Sequence, residues 1–207
     1  MENETKSHYN YQEIILWLEK KGVELYGNHF KILEIDHLII YKLIAYFLKD
    51  EPTCFQHGID LKKGILLSGP VGCGKTSLLN LMKFLTPTEN KFIVKPCRDI
   101  SFEFIQDGYQ IIHKYSTGKL YLSEPRTYCF DDLGTENNLK YFGNECNIMA
   151  EIVLSRYDLF ISKKIITHIT TNLSASEIET HYGNRVRSRL RAMLNLVSYD
   201  KSSPDKR

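Results

Sequence analysis

An α/β fold, a five-stranded parallel sheet flanked by helices, is predicted by three observations. From Leu61 onward, short apolar runs alternate with helical segments. A glycine-rich turn, Gly69 to Thr76, joins the first of those runs to a helical stretch. A later run, Thr127-Tyr-Cys-Phe, ends in two carboxylates, Asp131 and Asp132.

Taken in order, residues 11–21 place Ile14, Ile15, Trp17 and Leu18 at helical spacing. A second helix is expected from near Asp36, with Leu38, Ile39, Leu43, Ala45, Tyr46 and Phe47 as its apolar content and Pro52 as its end. Residues 1–51 thus read as a short helical N-terminal extension, residues 52–199 as the sheet domain and residues 200–207 as a polar C-terminal tail. The five strands are placed at residues 65–68, 91–95, 127–131, 164–170 and 194–199. The intervening helices cover about 74–85 (before Pro87), 101–115 (Phe102, Ile105, Tyr109 and Ile112 sharing a face) and 145–159. Ser174-Ala-Ser-Glu177 reads as a capping box opening a short helix that stops at Gly183, where Asn184 is available to cap a helix rich in arginine.

The 207 residues are 43% hydrophobic and 25% charged, a globular composition. No run approaches the roughly 20 apolar residues of a membrane-spanning helix, since Lys42 breaks the most apolar stretch. The acidic N-terminus does not read as a secretory signal. Five cysteines, odd in number and without C-x-x-C pairing, suggest reduced thiols and a cytoplasmic protein. The net charge of +2 argues only weakly for a nucleic-acid partner, but its distribution is uneven. Residues 174–207 carry 7 basic and 4 acidic side chains, concentrated in Arg185, Arg187, Arg189 and Arg191; Arg187 and Arg191 read as a solvated helix face.

Gly69-Pro70-Val71-Gly72-Cys73-Gly74-Lys75-Thr76 fits G-x-x-x-x-G-K-[ST] between an apolar run (Ile65-Leu66-Leu67) and a helical stretch opening at Ser77. Gly72 and Gly74 let the backbone curl so that several N–H groups face one anion, and the helix N-terminus adds favourable potential. The chemistry predicted is ATP held on residues Gly69 to Ser77, Lys75 reaching the β- and γ-phosphates and Thr76 placing its hydroxyl on Mg²⁺. Cys73 reads as a small residue that fits the loop. Asp131 suits the Mg²⁺-holding acid at the end of a neighbouring strand, and Asp132 the group that orients and deprotonates water. Glu is commoner at the second position and Asp is one methylene shorter, so slow hydrolysis, or help from Glu136, is expected. Ile165-Ile-Thr-His-Ile-Thr-Thr-Asn172 turns polar at the carboxyl end of its strand, where open α/β sheets bind ligands; Asn172 is placed to bond the water or the γ-phosphate. His168 reads as a core histidine.

The ordered set resembles the AAA+ ATPases, specifically DnaC-type helicase loaders and IstB-type transposition helpers. The resemblance rests on the loop, Phe130-Asp-Asp-Leu-Gly134, the Arg156-Tyr157 pair, Thr170-Thr-Asn172 and Tyr182-Gly-Asn-Arg-Val-Arg-Ser-Arg189, and it spans about residues 60–199. It implies Walker A roles for Lys75 and Thr76, Walker B roles for Asp131 and Asp132, and a sensor role for Asn172. Arg189 matches the arginine finger that reaches a neighbouring subunit's ATP site, with Arg185 one helical turn earlier in support. Only eight residues follow the fifth strand, so no helical lid domain is expected. The resemblance further implies self-association in the ATP-bound form, a protein client such as a replicative helicase or transposase, and a single-stranded DNA contact. For that contact Lys140, Tyr141, Phe142, Lys114 and Lys119 are candidates, an aromatic beside a lysine suiting base stacking plus phosphate attraction. Two other classes stay open: a small-molecule or nucleotide kinase, which shares the loop pattern, and a non-hydrolysing interaction module in which ATP only sets conformation.

Overall fold

Asn10 opens the first helix, its side chain accepting the Glu13 N–H, and α1 runs Tyr11–Tyr26 in a computed structural model that describes residues 9–117, 125–136, 139–141 and 144–206. The second helix, α2, spans His37–Leu48 and ends at Lys49, which adopts a left-handed conformation. Pro52 does not terminate it. Instead Asp50 caps a separate helix, α3 (Glu51–Gln56), with Pro52 in its first turn, where a missing N–H costs no hydrogen bond.

The sheet is built from β1 (Gly64–Ser68), β2 (Ile93–Pro96), β3 (Tyr128–Leu133), β6 (Thr167–Thr171) and β7 (Leu194–Ser198). Its order is β2-β3-β6-β1-β7, and every pairing is parallel. These are the five strands the sequence predicts, with ends shifted by at most three residues. The sequence reading missed a small antiparallel hairpin, β4 (Leu139–Tyr141) with β5 (Asn144–Cys146). The helix expected from 145 therefore starts later: Asn147 caps α7 (Ile148–Lys163). The helix expected over 101–115 is two, α5 (Cys97–Asp107) and α6 (Gln110–Tyr115), separated at Gly108 with φ 63°. The loop helix α4 covers Lys75–Met82. The capping box at Ser174 and Glu177 is present and opens α8 (Ala175–Met193), which is kinked at Gly183 (φ 84°, ψ 161°). Among the described residues no helical domain follows β7.

Successive residues of a strand face opposite ways, so the sheet supplies two cores. On one face Ile15 and Leu18 of α1, Leu43 and Phe47 of α2 and Leu79 of α4 pack on Ile65, Leu67 and Cys129. On the other, Ile100 and Phe104 of α5, Ile152 of α7 and Leu190 of α8 pack on Phe130 and Ile169. No helix is long and apolar enough to cross a membrane among the described residues. The five cysteines are all free and buried.

Two of the buried polar side chains, Arg156 and His168, brace this framework. Arg156 of α7 is fully enclosed and donates to the Thr167 hydroxyl (2.8 Å) and to the carbonyls of Arg126 (2.9 Å) and Ile166 (2.8 Å). It thereby ties the entrances of β3 and β6 together over the Tyr128 ring. His168 of β6 sits in the core as the sequence predicts, its Nδ1 accepting the Ile65 N–H at 3.1 Å among Phe47 and Phe92.

Burial lowers the His168 pKa to about 3, with Arg156 adding to the effect. The unfolded chain takes up a proton below its ordinary pKa of about 6.5, and the folded chain refuses it until about pH 3. The stability from the neutral ring is therefore full above about pH 6.5 and lost as pH falls, by about 1.4 kcal/mol per pH unit. Between pH 7 and pH 5 this residue is expected to cost the folded state about 2 kcal/mol, read as a falling urea midpoint. His168→Gln, neutral throughout, should flatten that decline.

Candidate nucleotide site

The loop after β1 curls because Gly72 (φ 81°) and Gly74 (φ 96°) occupy backbone conformations that side chains disfavour. Gly74 ends the curl as the N-cap of α4 and gives that helix no side-chain cap, so its first-turn N–H groups have no capping side chain to satisfy them. Lys75 is buried, and its Nζ donates to the loop carbonyls of Gly69 and Pro70, both at 2.9 Å. Cys73 is fully buried, and burial pushes its thiol pKa up against the opposing pull of Lys75. It is a packed thiol, the small residue that fits.

Opposite the loop stands Asp131, 5% exposed at the end of β3. Its two oxygens accept from the Thr76 hydroxyl (3.0 and 2.9 Å), and Oδ1 also accepts from the Thr170 hydroxyl at 2.6 Å. The ladder between β3 and β6 shifts register between Phe130 and Leu133, and Asp132 adopts φ 54°, a left-handed conformation that Asp tolerates better than most residues. Regular alternation would aim Asp131 and Asp132 at opposite faces. The irregularity turns Asp132 into the cleft, and its N–H donates to Thr170 Oγ1 at 2.7 Å. Burial first, and then the neighbouring Asp131, raise the Asp132 pKa, partly offset by Lys75.

The cleft so formed has a volume of about 320 Å³; Gly72, Gly74, Lys75, Thr76, Asp132 and Asn172 are among its lining residues. Its parts suit a polyphosphate with a divalent cation: a glycine curl without side chains, a buried ammonium, and a hydroxyl–carboxylate pair. Mg²⁺ keeps several waters and needs only one or two protein oxygens, which Thr76 and Asp131 offer.

The structure thus gathers Lys75, Thr76, Asp131, Asp132 and Asn172 at the carboxyl ends of β1, β3 and β6. Arg189 is not among the cleft's lining residues. It lies on the second half of α8, its guanidinium 4.3 Å from the centre of the Tyr157 ring, while Arg185 is exposed. Glu136 is also absent from the cleft lining: its carboxylate accepts the Gly134 N–H at 3.0 Å and the Tyr182 hydroxyl. Its place is to fasten the segment after β3 to α8. Arg187 is not fully solvated, since it pairs with Glu179 at 2.5 Å; Arg191 is exposed. Lys114 pairs with Glu103 at 2.8 Å. Lys119, Phe142 and the side chains of Lys140 and Tyr141 lie outside the described residues. The sequence reading gave no individual role to Thr170 or Tyr182. The signal for Thr170 was a hydroxyl in a buried strand, two residues before Asn172.

No family model and no curated protein sequence matches the chain. Solved structures do match its fold. It is similar to a DnaC helicase loader (TM-score 0.58, 17% identity, covering 87% of this chain and 99% of that one). It is similar to DnaI (0.56, 17%, 82% and 88%). It is also similar to AMPPCP-bound DnaA from Aquifex aeolicus (0.54, 18%, 83% of this chain and 48% of that one). At these identities the likeness is one of fold, and the fold is the one that the resemblance to AAA+ proteins implied.

Thr170→Val keeps the shape of the side chain but removes its bond to Asp131 and the acceptor of the Asp132 N–H. Leaving buried polar groups unpaired costs about 1–3 kcal/mol, so a loss of that size in urea unfolding is expected for the variant.

Proposed function

We propose that the chain binds and hydrolyses ATP with Mg²⁺ as an AAA+ protein of the DnaC and IstB kind, and serves as an ATP-controlled assembly switch in DNA replication or transposition. The observation that carries this reading is the Thr76–Asp131 pair, a neutral hydroxyl and a buried carboxylate joined across the end of a glycine-rich phosphate loop. The similarity of fold to a helicase loader and to AMPPCP-bound DnaA supports it.

In this reading Lys75 exchanges its two loop carbonyls for phosphate oxygens, bringing a positive charge to where negative charge accumulates. Thr76 and Asp131 hold Mg²⁺, which supplies charge neutralisation on the phosphates. Asp132, whose raised pKa makes it a better proton acceptor than an ordinary carboxylate, takes the proton of the attacking water. Asn172 orients that water or the terminal phosphate by hydrogen bonding. Arg189, absent from the lining of its own cleft, serves the cleft of a neighbouring copy, so turnover depends on assembly. The clients are a replicative helicase or a transposase, with single-stranded DNA as the surface on which copies gather.

Lys75→Ala is expected to abolish MgATP binding in calorimetry. Arg189→Ala should bind MgATP within about twofold of wild type while kcat falls by about 10³-fold or more, the scale of a missing arginine finger. Wild-type turnover per molecule should rise with protein concentration. Equal turnover per molecule in very dilute and concentrated protein would rule out a finger acting between copies.

A further inference from the structure

After β7 the chain turns back onto the phosphate loop. Asp200 makes the turn: its carboxylate accepts the N–H and hydroxyl of Ser202 (2.8 and 2.5 Å), and its carbonyl accepts the Ser203 N–H at 3.1 Å. Ser203 is buried. The segment then meets the loop in two places. The Lys206 N–H donates to the Gly72 carbonyl at 3.0 Å. The Asp205 carboxylate lies against the α-carbon of Gly72, so close that a Cβ there would stand 2.3 Å from its Oδ1. The lysine side chain passes on toward Asp36, just before α2, and its ammonium forms an ion pair with Asp36 Oδ2. The same ammonium sits 5.0 Å from the centre of the Tyr199 ring. Asp36 is 2% exposed, and its other oxygen, Oδ1, is buried without a hydrogen-bond partner.

We propose that residues 200–206 form a strap over the phosphate loop, and that the closed strap and a bound nucleoside triphosphate exclude one another. This rests on the nucleotide reading above. Closed, the strap sets a carboxylate on the loop residue whose missing side chain leaves room for an anion. A triphosphate brings negative charge to the same curl, and two like charges at such close range repel. The anchor explains why the strap closes when the loop holds no ligand: withdrawing Lys206 takes from the buried Asp36 carboxylate the cation it is paired with. Nucleotide opens the strap by the difference in its affinity for the two states, and its measured affinity is reduced by the fraction of molecules that are open.

The test is MgATP affinity by calorimetry on the wild-type chain, Asp205→Asn, Lys206→Ala and a chain stopped after Asp200. With a strap closed about nine-tenths of the time, the stopped chain and Lys206→Ala should bind about tenfold more tightly and Asp205→Asn a few-fold more tightly. Hydrogen exchange on the wild-type chain provides a second readout. The amides of Ser203 and Lys206 should be protected without nucleotide and exposed with it. Equal or weaker binding by the stopped chain, or protection unchanged by bound MgATP, would overturn the strap and leave the nucleotide site standing. Absence of binding in both wild-type and stopped chains would overturn the nucleotide reading and the strap with it.

Discussion

Asp131 is a carboxylate taken almost wholly out of water, and what surrounds it organises the functional end of the sheet. A buried charge is costly unless its oxygens are bonded. Here the bonds come from two neutral hydroxyls, Thr76 and Thr170. Because neither donor carries charge, the carboxylate is satisfied as a hydrogen-bond acceptor while its negative charge remains uncompensated by them. The nearby ammonium of Lys75 is turned instead to the carbonyls of Gly69 and Pro70. The same contacts clamp three strands together. Thr76 follows β1, Asp131 belongs to β3 and Thr170 to β6, and these strands lie side by side although far apart in sequence.

That clamp also explains the local backbone. A regular β3 would show only one of its two acids to the cleft. The register shift and the left-handed Asp132 bring the second acid round, and the Asp132 N–H finds its partner in the same threonine that bonds Asp131. One hydroxyl thus supports both carboxylates. At the opposite end of the strands, Arg156 holds the entrances of β3 and β6 through carbonyls and the Thr167 hydroxyl, so the pair is fastened at both ends.

Much of this was legible in the chain. The five strands announce themselves as apolar runs because both faces of the sheet are covered, and the phosphate loop because its glycines, lysine and threonine are fixed by the shape of the curl. The Ser174–Glu177 capping box was legible because a cap is a local arrangement of four residues. What stayed hidden depended on distant partners. Pro52 looks like a terminator until Asp50 is seen to start a new helix before it. The hairpin of β4 and β5 is only three residues a side, too short for a periodic signal. Glu136 reads as a spare acid beside the cleft until Tyr182, 46 residues later, is found bonded to it. The return of Lys206 to Asp36 spans 170 residues, and neither neighbourhood hints at it.

The kink in α8 has a mechanical consequence. Up to Tyr182 the helix is fastened to the rest of the molecule, through Tyr182 to Glu136 and through the His181 carbonyl to Asn147. Beyond Gly183 runs the arm that carries Arg189. A single glycine at φ 84° joins the two, and a Cβ there would meet nothing within 4 Å. That joint gives the second length of helix a direction of its own, so Val186, Leu190 and Met193 seat in the core while Arg189 rests 4.3 Å from the centre of the Tyr157 ring.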